Sequence, residues 1–152
     1  MKKLLKTAFV LCFFLIAFNA GAVAPKAHAE IASGAIGNTI LFWSLEDNGE
    51  LKIWTRNEEQ KACIPDYPIH STADYRQYKD QIKRVVWARG VSVTSIGARA
   101  FADCGSLLIA VIPASVNDIA ENAFAGTDIA VICPADSYAA AWCDDHHIPH
   151  NP

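Results

Sequence analysis

The chain has 152 residues, 13 of them basic and 16 acidic, and 52% of them are apolar. That length suits one small domain, and the acidic balance argues against nucleic acid, whose phosphates demand a basic face. The five cysteines include no C-x-x-C pair, so a zinc site of the ribbon type is not indicated.

The first residues read as an export signal. Met1-Lys2-Lys3-Leu4-Leu5-Lys6 is basic, Ala8 to Phe18 is apolar, and Ala27-His28-Ala29 is an A-x-A cleavage pattern. The expectation is a signal peptide over 1–29, cut after Ala29, and a secreted or cell-surface protein. The apolar run is short for a span of about 30 Å of hydrocarbon, so no membrane attachment is expected after cleavage. Cys12 lies inside that run with no small residue just before it, unlike a lipoprotein cysteine. Cleavage removes Lys2, Lys3, Lys6 and Lys26 and leaves a net charge of about −7. Cys63, Cys104, Cys133 and Cys143 remain, an even count that permits two disulfides in three connectivities. Buried free thiols are the alternative.

Ile31 to Asn38 reads as a lead-in rich in small residues. Thr39 to Leu45 reads as a strand, Glu46-Asp47-Asn48-Gly49 as a tight turn, and Glu50 to Thr55 as the returning strand. Arg56 to Ser71 is polar, holds Pro65 and Pro68, and reads as a loop. Ala73 to Asp80 suits a short helix capped by Thr72 or Asp74, with Tyr75 and Tyr78 on one face. Ile82 to Trp87 is a further strand.

One pattern is then written twice. Val93-Thr94-Ser95-Ile96-Gly97-Ala98-Arg99-Ala100-Phe101-Ala102 returns after 23 residues as Val116-Asn117-Asp118-Ile119-Ala120-Glu121-Asn122-Ala123-Phe124-Ala125. A fixed period of this order marks units that bury their apolar face only against a neighbour. Each unit reads as a strand ending at the Ile, a helical turn carrying Ala-Phe, and a second strand over 107–112 or 129–132. Phe101 and Phe124 are expected to point inward and stack. Val85–Val86, Val111–Ile112 and Val131–Ile132 are expected to form rungs of a parallel ladder with buried side chains. Asp136-Ser137 opens a helix whose Ala139, Trp142 and Cys143 share one face and close the end.

These tandem V-x-x-I-x-x-x-A-F units, with Asp103-Cys104 after the first and Ile112-Pro113-x-Ser115-Val116 between them, resemble the BspA-like leucine-rich repeats of bacterial surface proteins. Tyr78 to Val86 with the leading hairpin resembles their β-rich N-terminal cap, and Ser137-x-Ala139-x-x-Trp142-Cys143-x-x-His146-His147-Ile148 their closing helix. The resemblance implies a β-rich α+β fold: a short right-handed leucine-rich-repeat solenoid with an N-terminal β-hairpin cap and a C-terminal helical cap. Its divisions fall at 1–29 for the signal peptide, 30–84 for the N-terminal cap, 85–134 for the repeat units and 135–152 for the closing helix and tail. Gly90 to Val93 carries two residues more than the family's usual approach, so a small bulge is expected there. The family binds proteins or host surfaces, which implies a non-catalytic protein with a protein or glycan partner.

Candidate chemistry is sparse. Cys143-Asp144-Asp145-His146-His147-Ile148-Pro149-His150 is dense in metal-ligand types, against the reading of a solvated, irregular tail. The only other histidine after residue 29, His70, lies in the Pro-rich loop beside Ser71, and there is no G-x-S-x-G. No catalytic residue, cofactor or metal is therefore assigned. Trp54, Trp43 and Tyr67 are the candidate aromatic contact surface, Trp54 foremost because it lies on the polar phase of its strand. A Cys133–Cys143 bridge would pin the closing helix and contribute about 2–3 kcal/mol. A structural repeat module without a ligand, or metal binding by the tail, are the competing functions.

Overall fold

The computed structural model describes residues 27–58 and 60–151; the expected signal peptide, but for its last three residues, lies outside them. Three antiparallel strands come first: β1 (Glu30–Ala35), β2 (Leu41–Glu46) and β3 (Glu50–Thr55). Alternation decides their faces. Leu41, Trp43, Leu45, Leu51 and Ile53 are buried, while Phe42, Ser44, Lys52 and Trp54 stay on the other face. The turn between β2 and β3 requires glycine on two counts. Gly49 has φ +86°, and a Cβ there would lie 2.7 Å from the Gln81 carbonyl oxygen. β1 replaces the expected lead-in. Its Ala, Ser and Gly have little strand preference of their own, and the ladder with β2 supplies the pairing.

From β3 onward the pairing turns parallel, through β5 (Arg84–Trp87), β7 (Ile109–Val111) and β9 (Ala130–Ile132). A second parallel sheet stacks β4 (Lys61–Ile64), β6 (Ser92–Ile96) and β8 (Asp118–Ile119). β4 lies inside the stretch read as loop. The bulge expected near Gly90–Val93 falls slightly later: Ala62 pairs with Val93 and Cys63 with Ser95, which leaves Thr94 extra. Gly97 follows where the chain crosses Pro65, whose carbonyl carbon would lie 2.5 Å from a Cβ. The rungs of the larger sheet are set by Val85, Ala110 and Val131, which face inward in one row. Val86, Val111 and Ile132 were expected inside; the two-residue period places them on the outer face instead.

Between the sheets run the two Ala-Phe turns, which are joined by their own hydrogen bonds. The Phe101 and Asp103 amides donate to the Ala123 and Ala125 carbonyls, each at 2.8 Å. The corresponding carbonyls of the first turn, Ala100 and Ala102, have no preceding turn to supply amides. Arg76 stands in for it. Its Nη1 shares its hydrogens among the carbonyl oxygens of Arg99 (2.6 Å), Ala100 (3.2 Å) and Ala102 (3.0 Å), and the Tyr75 hydroxyl donates to Ala100 O at 3.1 Å. Arg76 is 1% exposed, so these bonds are what make its burial tolerable. The segment that delivers both residues is a 3-10 helix, Asp74–Tyr78, without the expected Thr72 or Asp74 cap.

Aromatic rings fill the axis. Phe101 and Phe124 stack at 5.3 Å as expected, with Tyr75 at 5.5 Å on one side and Trp142 at 6.0 Å on the other. Trp142 belongs to α1 (Tyr138–Asp145), the one α-helix among the described residues. Its N-cap is Ser137, whose Oγ accepts from the Ala140 amide at 3.2 Å. Ala139, Trp142 and Cys143 are buried, as their spacing predicts. The four cysteines among the described residues are free thiols in this structure, and α1 is seated by the packing of Ala139, Trp142 and Cys143. The tail beyond α1 is also more regular than expected. Val131 N donates to Pro149 O and Asn151 N to Val131 O, each at 2.8 Å, so the tail pairs in parallel with β9.

Arg76→Met removes the donor shared by three carbonyl oxygens and is expected to lower the unfolding free energy by about 3 kcal/mol. Urea denaturation followed by indole emission checks it; a loss under about 1 kcal/mol means that water replaces the guanidinium. A second expectation concerns alkaline pH. Burial pushes the Cys104 thiol up to about 11 and the Cys143 thiol up to about 12, from an ordinary 9.0. The folded thiols stay neutral while the unfolded ones ionise. Stability is therefore full below pH 9.0 and declines as pH rises towards the folded values, by up to ~1.4 kcal/mol per pH unit for each thiol. Between pH 9 and 10, before ordinary tyrosines titrate, Cys104→Ala and Cys143→Ala are each expected to flatten the slope.

Candidate binding face

The outer face of the larger sheet is built by the residues that strand alternation leaves over once the core is filled. On the hairpin it holds Phe42, Ser44, Glu46, Glu50, Lys52 and Trp54; on the parallel strands it holds Arg84, Val86, Ile109, Val111, Ala130 and Ile132. The register orders them into rows. Ser44 pairs with Lys52, Lys52 with Val86, and Val111 with Ile132. The chain thus presents one aliphatic row, Val86–Val111–Ile132, headed by a lysine. Arg84 lies in the neighbouring row between Glu50 and Ile109.

At the hairpin end the row is bordered by two rings. Phe42 and Trp54 are direct cross-strand partners, stacked at 4.7 Å between centroids with 22° between planes. The Arg56 guanidinium lies 4.8 Å from the Phe42 centroid and 5.9 Å from that of Trp54, within cation–π range. Both rings are half-buried and Arg56 is exposed. This shelf combines a polarisable apolar surface with a cation whose N–H groups face solvent, and it therefore suits a partner with both apolar and anionic groups.

The expected aromatic surface is only partly assembled here. Trp54 is on it. Trp43 is 3% exposed, and its Nε1 has no hydrogen-bond partner among the described residues. Tyr67 is 6% exposed and donates to Asp74 Oδ2 at 2.8 Å. Burial first, then that carboxylate, holds its hydroxyl well above the ordinary tyrosine range. Trp43 and Tyr67 are thus core residues: Trp43 faces inward by strand period, and Tyr67 is folded under, its backbone N–H donating to the Ala98 carbonyl oxygen. Phe42 was missed. The observed register, with three residues between Glu46 and Glu50, sets it opposite Trp54, whereas a two-residue Asn48-Gly49 turn would set it opposite Thr55.

The remaining candidates disperse. His146 stacks on Trp142 at 4.2 Å and its Nδ1 lies 2.8 Å from Trp142 O. His147 is exposed, and His150 sits in the bridge to β9 with Nε2 3.9 Å from Asp144 Oδ1. Among the described residues no three His, Cys, Asp or Glu side chains converge on a point that a metal ion fits. His70 is exposed at φ +59°, and the Ser71 carbonyl accepts from Arg76 Nε at 3.4 Å. Cys133 and Cys143 stay thiols, and the Asn151 side chain accepts from the Cys133 amide at 3.0 Å.

No family model and no curated protein matches the chain. Among solved structures it is similar to a leucine-rich repeat protein from Eubacterium ventriosum, with a TM-score of 0.57 and 25% identity. The match covers 69% of this chain and 26% of the other, so the chain spans about a quarter of that neighbour's length. The likeness supports a leucine-rich-repeat type of fold for this strand-rich chain.

Proposed function

We propose that the chain is an exported, non-catalytic repeat protein of the BspA-like kind that binds a protein or glycan through the outer face of its larger sheet. In this reading the parallel rungs form a short solenoid, the hairpin caps its first rung and α1 closes its last. The observation that carries the proposal is the continuity of Phe42–Trp54, Lys52 and Val86–Val111–Ile132 on one face. Lys52, Arg56 and Arg84 lie on that face, with Glu46 and Glu50 at its turn end, so the cation nearest the two rings is Arg56. Half-buried apolar side chains in a row beside cations are what a binding face offers before its partner arrives. The leucine-rich-repeat neighbour supports the repeat reading, and repeat stacks present a sheet surface suited to binding. A partner bearing carboxylate, sulfate or uronic-acid groups fits the shelf best.

Two measurements bear on this. An array of neutral and acidic glycans and acidic peptides, probed with the purified protein, is expected to return acidic members whose retention drops at least about tenfold in Trp54→Ala and in Arg56→Glu, about 1.4 kcal/mol each. Retention that survives both substitutions with the fold intact would sink the assignment of this face. Export is checked separately: expressed in an exporting bacterial host, the mature protein is expected to begin at Glu30. A cytoplasmic product that keeps Met1 to Ala29 would remove the extracellular reading and leave the binding face standing.

A further inference from the structure

The larger sheet has two edges, and the molecule treats them differently. At the far edge its own tail pairs with β9 through the Pro149 carbonyl and the Asn151 amide. At the near edge β1 pairs with β2 on one side and, among the described residues, with no strand on the other. A free edge is normally blunted by lysine, proline or a bulge along its length. Glu30-Ile31-Ala32-Ser33-Gly34-Ala35 contains no lysine and no proline, and its bulge lies at the Glu30 end. The edge of the smaller sheet, β4, carries Lys61 at one end and runs into Pro65 at the other.

We infer that β1 is a self-association edge, pairing antiparallel with β1 of a second copy about a two-fold axis at Ser33. The faces of the strand select this register. Ala32 and Gly34 face inward, Ala32 packing on the core and Gly34 lying so close to the Trp43 indole that a Cβ would meet Nε1 at 3.1 Å. Ile31, Ser33 and Ala35 are exposed. Directly opposed residues of an antiparallel pair share a face, so the strand must be centred on a residue and not between two. Centring on Ser33 sets Ser33 against Ser33, Ala32 against Gly34 and Ile31 against Ala35 of the other copy.

Every pair in this register is compatible. Ile31, which is 48% exposed, gains an apolar partner in Ala35, and Ala35 itself pairs with Phe42 on β2. The two Glu30 carboxylates fall at opposite ends of the pairing. A two-fold axis perpendicular to the sheet keeps outer face continuous with outer face. The two Phe42–Trp54 shelves then flank the axis on one surface, and a partner with repeated epitopes meets two copies of the site. The inference does not depend on what the shelf binds. A strand-edge contact is at the small end of specific interfaces, so association is expected to depend on concentration.

The experiment is sedimentation of the chain from Ala27 onward, which contains the whole described core, over a rising concentration series up to about 0.5 mM. The unsubstituted chain is expected to approach twice its monomer mass. Ser33→Lys, which sets two ammonium groups face to face on the axis, is expected to stay monomeric with an unchanged circular dichroism spectrum. Asp128→Lys, an exposed charge change away from the edge, is expected to associate as the parent does. Independently, Ser33→Cys in a Cys63→Ser background is expected to yield a reducible covalent dimer on mild oxidation. A parent chain that remains monomeric throughout, a Ser33→Lys chain that still dimerises, or an unlinked Ser33→Cys chain each overturns the inference. A monomer that instead takes up extended peptides along β1 overturns it in favour of a heterologous strand partner.

Discussion

The stacking of one turn on the next depends on who supplies amide hydrogens to each row of carbonyls. Inside the stack the answer is automatic, because Phe101 and Asp103 donate to Ala123 and Ala125. At the first turn there is no such neighbour, and leaving buried carbonyls without donors costs about 1–3 kcal/mol each. Arg76 and Tyr75 resolve this with side chains. A guanidinium is well matched to the task, since it is always charged and offers several donors in a fixed plane. The aromatic column repeats the same logic in apolar form: Tyr75 starts it, Trp142 ends it, and both ends are provided by segments outside the repeat.

Because Arg76, Tyr75 and Trp142 complete what the two Ala-Phe turns lack, the core is one continuous cluster from Ile36 to Cys143. The consequence for function is a strict division of side chains. Whatever faces inward is committed to the column or the ladder, including residues chemically suited to recognition, such as Trp43, Tyr67 and Tyr75. Only the outward phase of each strand keeps its side chains at the surface. That phase is where Phe42, Trp54, Lys52 and the Val86–Val111–Ile132 row lie, with the Arg56 guanidinium over the two rings.

Legibility from sequence followed how local each signal was. The hairpin turn at Asn48-Gly49, the Ser137 cap and the inward Phe101 and Phe124 were readable because short-range chemistry decides them. The outward placement of Val86 and Val111 was not, since a short apolar run carries no phase until a partner strand fixes it. β1 and β4 were missed for a related reason: strands of small or mixed residues exist because a neighbour offers hydrogen bonds, which no window of sequence records. In the tail, Pro149 contributes its carbonyl to β9, an acceptor role that proline retains.

The sequence by itself determined the repeat, its period, the residues that stack inside it and the short element that closes it, because periodicity and caps are properties of neighbouring residues. Only the tertiary structure decided which aromatic residues remain at the surface, that a buried arginine serves as the missing rung, that the thiols lie apart from any metal-like cluster, and which sheet edge is left open. Each of those depends on what a distant segment brings to the same place. Hydrogen-bond donors and water access are shared out in space, whereas the chain is written in order.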